Sequence, residues 1–229
     1  MLIFRKINEY IDHKEMESYN NMIDYTKISD SLTNDQIKEI CQEADDNNYY
    51  SICVLPQYVA TARSFVKNTK ITSLIDFPNG NSGIKTKIAE IDNSIINGAN
   101  DVDVVINYKL IKSIDDHDTL KNDIRELVEF CHKDGINIKI VIEIGALNYQ
   151  DIENICKMCI DGNVDYIMTS TGKLSNDDTF EKKLDKVIFM RKILPDEIKI
   201  KFSGGVRSID QMKDVKKYVD RIATSVIIK

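Results

Sequence analysis

Four ionisable residues interrupt strongly apolar runs of this sequence. They are Asp103 in DVDVVIN, Lys139 and Glu143 in NIKIVIEIG, and Lys201 in IKIKFSG. In each run the apolar residues alternate with the charged ones, so a β-strand would turn the two sets to opposite faces. Ionised groups that are buried must be paired. We therefore expect these acids and lysines to form a network, which is either a reactive centre or an ion-pair plug that only stabilises the fold.

A pair of glycines has the placement expected of a phosphate-binding turn. Gly204 and Gly205 follow one of the apolar runs and precede a helix that we expect to begin near Ser208. Glycines at a helix N-terminus expose backbone N–H groups that suit a phosphate. The alternative is a tight turn that simply requires glycine. The segment 170–173 (STGK) has the ending of a nucleotide-binding P-loop, but Ile167 stands where that motif needs a glycine, which excludes it.

The elements that position these residues repeat along the chain. Short β-branched runs alternate with segments that have apolar residues at helical spacing. The runs are 22–26, 51–55, 71–77, 101–107, 137–145, 165–171, 198–204 and 219–225. This alternation predicts parallel strands joined by crossover helices, and eight strands can close a (β/α)8 TIM barrel. An open doubly wound α/β sheet is the alternative, although the glycine-rich first turn that would favour it is missing.

The barrel interpretation predicts one domain over residues 1–229, with the barrel itself over 22–229. Leu2, Ile3, Ile7, Tyr10 and Ile11 indicate an amphipathic helix within an N-terminal extension, 1–21. Lys229 comes four residues after the last run, so we expect the eighth helix to be absent or vestigial. The N-terminal segment or a partner subunit would then cover the outward residues of the neighbouring strands.

The composition narrows the class of protein. The 229 residues carry 31 Lys and Arg against 37 Asp and Glu, a net charge of −6, which argues against nucleic acid or an anionic membrane as the main partner. No apolar run is long enough to span a bilayer. Five cysteines, an odd number, are typical of reduced thiols in the cytoplasm. With three histidines, a histidine-rich metal site is not expected, and we predict no metal.

Several motifs resemble those of deoxyribose-phosphate aldolase, in order from about residue 22 to 225. They are IDYT (23–26), SICVLP (51–56), FPNG (77–80), DVDVV (101–105), KIVIEIG (139–145), TSTGK (169–173) and KFSGGVR (201–207). The resemblance implies a (β/α)8 barrel that takes part in deoxyribonucleotide catabolism. It also implies cleavage of 2-deoxyribose 5-phosphate to glyceraldehyde 3-phosphate and acetaldehyde through a lysine Schiff base, without metal or organic cofactor.

The resemblance also implies roles for individual residues. The catalytic positions would be Asp103, Lys201, Lys139, Asp24 and Thr26. Asp103 would manage proton transfer with a water, and Lys201 would lower the pKa of the nucleophile, since clustered ammonium groups favour a neutral amine. The positions that bind substrate and phosphate would be Cys53, Thr171, Gly172, Lys173, Gly204, Gly205 and Ser225.

One departure from the family pattern affects the chemistry directly. The family's Schiff-base lysine precedes TSTGK, and here that position is Met168, whose thioether cannot form an imine. Further departures are Phe202 for proline, Ala223 for glycine and Val226 for serine. Three hypotheses follow: a lyase that uses Lys201 or Lys139 as its amine, a non-catalytic barrel that binds a sugar phosphate, or an engineered inactive aldolase. A sugar phosphate is the expected partner, and a homodimer is an open expectation.

Overall fold

The computed structural model, which describes residues 18–173 and 178–226, is a closed barrel of eight parallel strands. Each strand pairs with the next along the chain, and the last pairs with the first. The strands are β1 Ile23–Thr26, β2 Ser51–Val54, β3 Lys70–Ile75, β4 Asp101–Val105, β5 Asn137–Val141, β6 Tyr166–Met168, β7 Lys199–Ser203 and β8 Arg221–Thr224. The predicted (β/α)8 barrel is confirmed, and the open sheet is excluded.

A helix follows each of the first seven strands. These helices are α1 Asn34–Asp46, α2 Val59–Phe65, α3 Ile84–Ile96, α4 His117–Lys133, α5 Tyr149–Asp161, α6 Phe180–Ile193 and α7 Ile209–Lys216. A single helical turn, Tyr108–Ile111, precedes α4. No helix follows β8 as far as residue 226, where the description ends. The predicted N-terminal helix lies outside the described residues, and the single-domain assignment of 1–229 stays a prediction.

Side chains at the helix starts explain where several of these helices begin. Thr33 and Gln36 form a capping box at α1, and Asn148 and Asp151 form another at α5. Such reciprocal hydrogen bonds satisfy backbone N–H groups that the first helical turn leaves free. Ser208 caps α7 by accepting a hydrogen bond from the backbone N–H of Gln211, which places the helix start where the sequence predicted it.

Two apolar clusters pack on opposite sides of the barrel wall. The outer cluster, between strands and helices, contains the apolar residues that alternate with the charged ones in the three runs: Val102, Val104, Ile106, Ile138, Ile140, Ile142, Ile198, Ile200 and Phe202. The inner cluster consists of Val105, Val141, Met168 and Ala223, with Phe77 packed against it. We call these five residues the inner apolar layer. The predicted alternation of faces is therefore confirmed. The same alternation would turn Lys199 inward, but this residue lies at the amino end of β7 and is exposed.

The seam between β8 and β1 is covered within a single chain. Ile222, Ile23 and Tyr25, which project outward there, are at most 1% exposed. Tyr19 is also buried, and the ammonium group of Lys216 on α7 lies 4.4 Å from its ring centroid. No partner subunit is therefore needed to bury these strands.

The state of the cysteines and the lengths of the helices agree with the expectations of free thiols and of no membrane-spanning segment. All five cysteines are buried and free, and Cys156 and Cys159 lie on the packed face of α5. In the part of the chain that the structure describes, no helix combines the length and the apolar character needed to cross a bilayer.

Candidate active site

Five ionisable side chains from four strands meet inside the barrel. They are Asp24 on β1, Asp101 and Asp103 on β4, Lys139 on β5 and Lys201 on β7, and we call them the charge cluster. The Lys201 ammonium nitrogen lies 2.6 Å from Asp24 Oδ2 and 2.6 Å from Asp103 Oδ2. Lys139 Nζ lies 3.3 Å from Asp103 Oδ1 and 3.4 Å from Asp101 Oδ2. All five are at most 1% exposed, so the predicted network exists and is fully buried.

Strand register explains why residues distant in sequence meet here. Asp103 on β4 is the Cα partner of Lys139 on β5, and Met168 on β6 is the partner of Lys201 on β7. Alternate residues of each strand point into the barrel, so paired strands present their inward side chains to one another. Met168 therefore lies on the strand beside Lys201.

The carboxylates keep both lysines of the charge cluster protonated. Burial lowers the pKa of Lys201, but Asp103 and Asp24 outweigh that effect and hold it well above its usual value. The pKa of Lys139 is raised as well, by Asp103 and Asp101 against burial. Mutual repulsion between the ammonium groups is overridden. The resemblance gives Lys201 the role of lowering the pKa of a neighbouring nucleophile, and since that position is Met168 here, the role stays a prediction.

Asp103 is the counterpart of these lysines and is ionised. Burial raises the pKa of its carboxyl, but the ammonium groups of Lys201 and Lys139 hold that pKa below its usual value. The Cys53 thiol donates a hydrogen bond to Asp103 Oδ2 at 3.4 Å. Burial raises the pKa of Cys53 well above its usual value, so the thiol stays neutral.

A separate cavity of about 350 Å³ opens at the carboxyl ends of the strands. Its described lining residues are Thr26, Ile28, Thr171, Gly172, Lys173, Ser203, Gly204, Gly205, Val206, Arg207, Ala223, Thr224, Ser225 and Val226, and we call it the mouth cavity. All the residues predicted to bind substrate or phosphate line it except Cys53, and Thr26 joins them. Arg207 also lines the cavity. It was not among the predicted phosphate-binding residues, and its only signal in the sequence was its place in the KFSGGVR motif.

The inner apolar layer separates the mouth cavity from the charge cluster. Val105 lies two residues beyond Asp103 on β4, and Val141 lies two residues beyond Lys139 on β5, in both cases toward the carboxyl end of the strand. Ala223 belongs both to this layer and to the cavity wall, and Met168 in the layer is 2% exposed. No member of the charge cluster is among the described residues that line the cavity. The acids and lysines predicted to be catalytic therefore lie apart from the predicted phosphate-binding residues, whereas Thr26 lines the mouth cavity and Cys53 contacts the charge cluster.

Glu143, which was predicted to join the buried network, instead contacts the rim of the mouth cavity. It is buried, as predicted, but its carboxylate accepts a hydrogen bond from the backbone N–H of Thr171. On the other side of the same loop, Thr169 Oγ1 donates to the carbonyl of Ser203 at 3.0 Å and accepts from its N–H at 2.8 Å. Residues 169–171, directly after β6, are thereby bound to the ends of both neighbouring strands.

The FPNG segment closes the inner apolar layer from the side of β3. Phe77 packs on that layer, and the buried Lys87 forms an ion pair with Asp76 immediately before it. Lys87 also donates to the carbonyls of Gly80 at 3.0 Å and Val105 at 2.9 Å. Sequence reasoning missed Lys87, because a lysine on a helix is usually solvated.

Comparison with known proteins identifies the family. A family model described as "DeoC/LacD family aldolase" matches residues 9–225. The chain belongs to this aldolase family. A deoxyribose-phosphate aldolase of Ureaplasma parvum serovar 3 is 34% identical over 221 residues, covering 93% of this chain and 98% of the relative.

Solved aldolase structures share the barrel. The structure titled "QR15, an Aldolase" superimposes with a TM-score of 0.82 at 28% identity, covering 90% of each chain. A deoxyribose phosphate aldolase from Aeropyrum pernix, titled as a unique tetramer, matches with a TM-score of 0.81 over 92% of this chain and 88% of its own. At 23% identity, that second likeness shows the fold alone.

The aldolase motifs are the segments that build both compartments. DVDVV forms β4 and supplies two acids of the charge cluster, and KFSGGVR forms the end of β7 with the turn beside the cavity. TSTGK forms the loop after β6 that Glu143 binds. Met168, just before that loop, packs in the layer between the compartments.

Proposed function

We propose that this member of the aldolase family binds a small phosphorylated sugar in the mouth cavity and does not cleave it through an imine. Its first candidate ligand is 2-deoxyribose 5-phosphate, since curated relatives are named deoxyribose-phosphate aldolases. The observation that carries the proposal is the burial of Met168 in the inner apolar layer. By the resemblance, a Schiff-base lysine would occupy that position.

The lining of the mouth cavity supports an anionic ligand. Lys173 and Arg207 contribute cations, and the described lining includes no carboxylate. Gly204 and Gly205 have φ values of +92° and +109°, a backbone conformation that side chains rarely adopt. Such turns bring the main chain close to a ligand and let its N–H groups contact phosphate oxygens.

The chemistry of the interior argues against an imine. Imine formation requires a neutral primary amine that can attack a carbonyl. Met168 has no amine, and the carboxylates of the charge cluster raise the pKa of both Lys201 and Lys139. The charge cluster would then serve as an ion-pair plug that only stabilises the fold.

A second candidate function is slow aldol cleavage with Lys201 as the amine. It is favoured by strand register, because Lys201 is the Cα partner of Met168 and lies on the adjacent strand. For this reaction Lys201 would have to lose a proton and leave Asp24 and Asp103. A nucleophile displaced by about 1 Å can lose about 100-fold in rate, so this activity would be low.

Calorimetry and chemical trapping test the two candidates together. Titration with 2-deoxyribose 5-phosphate should show binding, and borohydride reduction with acetaldehyde followed by peptide mass mapping should show no modified lysine. A reduced adduct on Lys201 would establish the second candidate instead. If the chain binds neither 2-deoxyribose 5-phosphate nor inorganic phosphate, the proposed function is overturned.

Replacing Met168 tests whether only the amine is missing. In Met168→Lys the new amine would lie in apolar surroundings beside the Lys201 ammonium group, and both effects lower its pKa. We expect a borohydride-trapped adduct on the introduced lysine and a cleavage rate at least about 100-fold above that of the unsubstituted chain. Met168→Leu, which keeps the layer apolar, should show neither. A Met168→Lys protein that binds the sugar phosphate but forms no adduct would contradict this expectation.

A further inference from the structure

Lys183 on α6 is a buried lysine directly behind the glycine turn of the mouth cavity. Lys183 is only 7% exposed, and its ammonium nitrogen lies 3.5 Å from the carbonyl oxygen of Gly204. A Cβ atom added to Gly204 would lie 2.8 Å from that nitrogen. The missing side chain of Gly204 therefore leaves the space that the Lys183 ammonium group occupies.

Lys183 differs from the other buried lysines in its partners. Four lysines are buried among the described residues, and three of them have a carboxylate within ion-pair distance: Lys87, Lys139 and Lys201. Among the described residues no carboxylate lies within ion-pair distance of Lys183, and its hydrogen bond to Gly204 is long. Burying a cation without a counter-charge is costly. The arrangement indicates that the counter-charge arrives with a ligand.

The position of Lys183 fits an anion bound in the mouth cavity. Gly204 lines that cavity together with Lys173 and Arg207, which are both exposed. Lys183 would add a third positive charge from behind the cavity wall, in a place that water reaches poorly. Charges interact more strongly there than at the surface, because screening by solvent is weaker.

We propose that Lys183 is a phosphate-binding residue, whose buried ammonium group supplies counter-charge to a phosphate monoester dianion seated against Gly204 and Gly205. This inference rests on the proposed function and deepens it, since it assigns a residue that neither the motifs nor the cavity lining includes. It also predicts that the effect of Lys183 on stability depends on whether the ligand is bound. Without ligand, the Lys183 ammonium group should destabilise the fold or leave it unchanged, and with ligand it should stabilise the complex.

The test compares two adjacent lysines of α6. Lys183→Met removes the buried charge and keeps an apolar stem of similar length, and Lys182→Met makes the same change at an exposed position. Calorimetry with inorganic phosphate and with 2-deoxyribose 5-phosphate should show about tenfold weaker binding for Lys183→Met. Lys182→Met should bind within about twofold of the unsubstituted chain. Lys183→Gln, which keeps a donor for Gly204 but no charge, should behave like Lys183→Met.

Two further measurements separate a binding role from a structural one. The melting temperature of unliganded Lys183→Met should equal or exceed that of the unsubstituted chain. In phosphorus NMR titrations, the second pKa of the bound phosphate should be higher in Lys183→Met, because a cation that favoured the dianion has been removed.

The outcomes distinguish the two proposals. If the unsubstituted chain binds neither phosphate compound, the proposed function and this inference both fall. If it binds them and both Lys183 variants bind equally well, only the role of Lys183 is overturned. A clear fall in the melting temperature of the unliganded Lys183 variants, or their failure to fold, would make Lys183 a structural cation and also overturn the inference.

Discussion

Lys201 illustrates how neighbouring groups decide whether a lysine is a nucleophile or a counter-ion. Two buried carboxylates, from Asp24 and Asp103, lie 2.6 Å from its ammonium nitrogen. In apolar surroundings beside another cation, the same side chain would lose its proton much more readily. The acids of β1 and β4 therefore hold Lys201 as a protonated counter-ion in this barrel.

Removing that cation should destabilise the protein strongly. Lys201→Met leaves Asp24 and Asp103 buried without their shared partner, and breaking a buried ion pair in this way costs about 3–5 kcal/mol. Urea denaturation should show this loss in the free energy of unfolding. Lys199→Met, on the same strand but exposed, should change it by less than about 0.5 kcal/mol. A loss below about 1 kcal/mol for Lys201→Met would contradict a structural role for the charge cluster.

The residues directly after β6, 169–171, are held by hydrogen bonds to the ends of the two neighbouring strands. The backbone amide of Thr171 is held by the buried Glu143 carboxylate, and Thr169 binds both backbone groups of Ser203. Loops usually run over the surface and exchange their amide hydrogens readily. Residues 169–171 are tied at both sides, which holds this part of the rim of the mouth cavity in place.

Glu143→Ala should release that loop and weaken ligand binding. The Thr171 amide loses a charge-assisted hydrogen bond, so its hydrogen exchange should accelerate about tenfold or more. Affinity for inorganic phosphate should fall as well, because the rim must then be ordered when the ligand binds. Glu153→Ala, on the outer part of α5, is the matched control and should change neither quantity. Unchanged exchange at Thr171 in Glu143→Ala would show that Glu143 does not order the loop.

Strand positions follow from the apolar pattern more reliably than strand ends do. The predicted runs 101–107 and 137–145 overshoot β4 and β5, which end at Val105 and Val141. The pattern continues because Ile106, Ile142 and Ile144 remain buried, and their backbone N–H groups still donate to the carbonyls of Val141, Met168 and Thr169. Apolar periodicity follows burial, so it cannot show where a strand gives way to a loop of the site.

The buried position of Lys183 on α6 can be read from the sequence. Lys183, Val187 and Met190 have helical spacing, so a lysine occupies the apolar stripe of this helix. What the pattern could not supply was the partner, because Gly204 is brought beside Lys183 only by the closed barrel. The protonation of Lys201 was hidden for the same reason, since it depends on acids from two other strands.

The response of the whole molecule to pH should reflect the charge cluster. The pKa of Asp103 is lower in the folded protein than its usual value, so its ion pairs contribute fully above about pH 4 and are lost as the pH falls through the folded value. The raised pKa of Lys201 acts at the other end: its contribution is present below about pH 10 and is lost as the pH rises further.

Asp103→Asn should therefore flatten the acid limb of the stability profile. We expect the urea midpoint of the unsubstituted chain to fall more steeply below about pH 4 than that of Asp103→Asn. Asp196→Asn, at an exposed position, should keep the original acid limb. Parallel acid limbs for the Asp103→Asn protein and the unsubstituted chain would show that this carboxyl is not held ionised by its lysines.

The pairing of β8 with β1 has a consequence for how the protein is made. Lys27, just after β1, donates to the carbonyl of Ser225 at 2.8 Å, across 198 positions of the chain. At ribosomal rates of about 5–20 residues per second, β1 waits about 10–40 seconds for its partner. During that time the growing sheet has unpaired edges that can bind other nascent chains. The duration of synthesis therefore sets the period in which this protein most needs chaperones, however stable the finished barrel is.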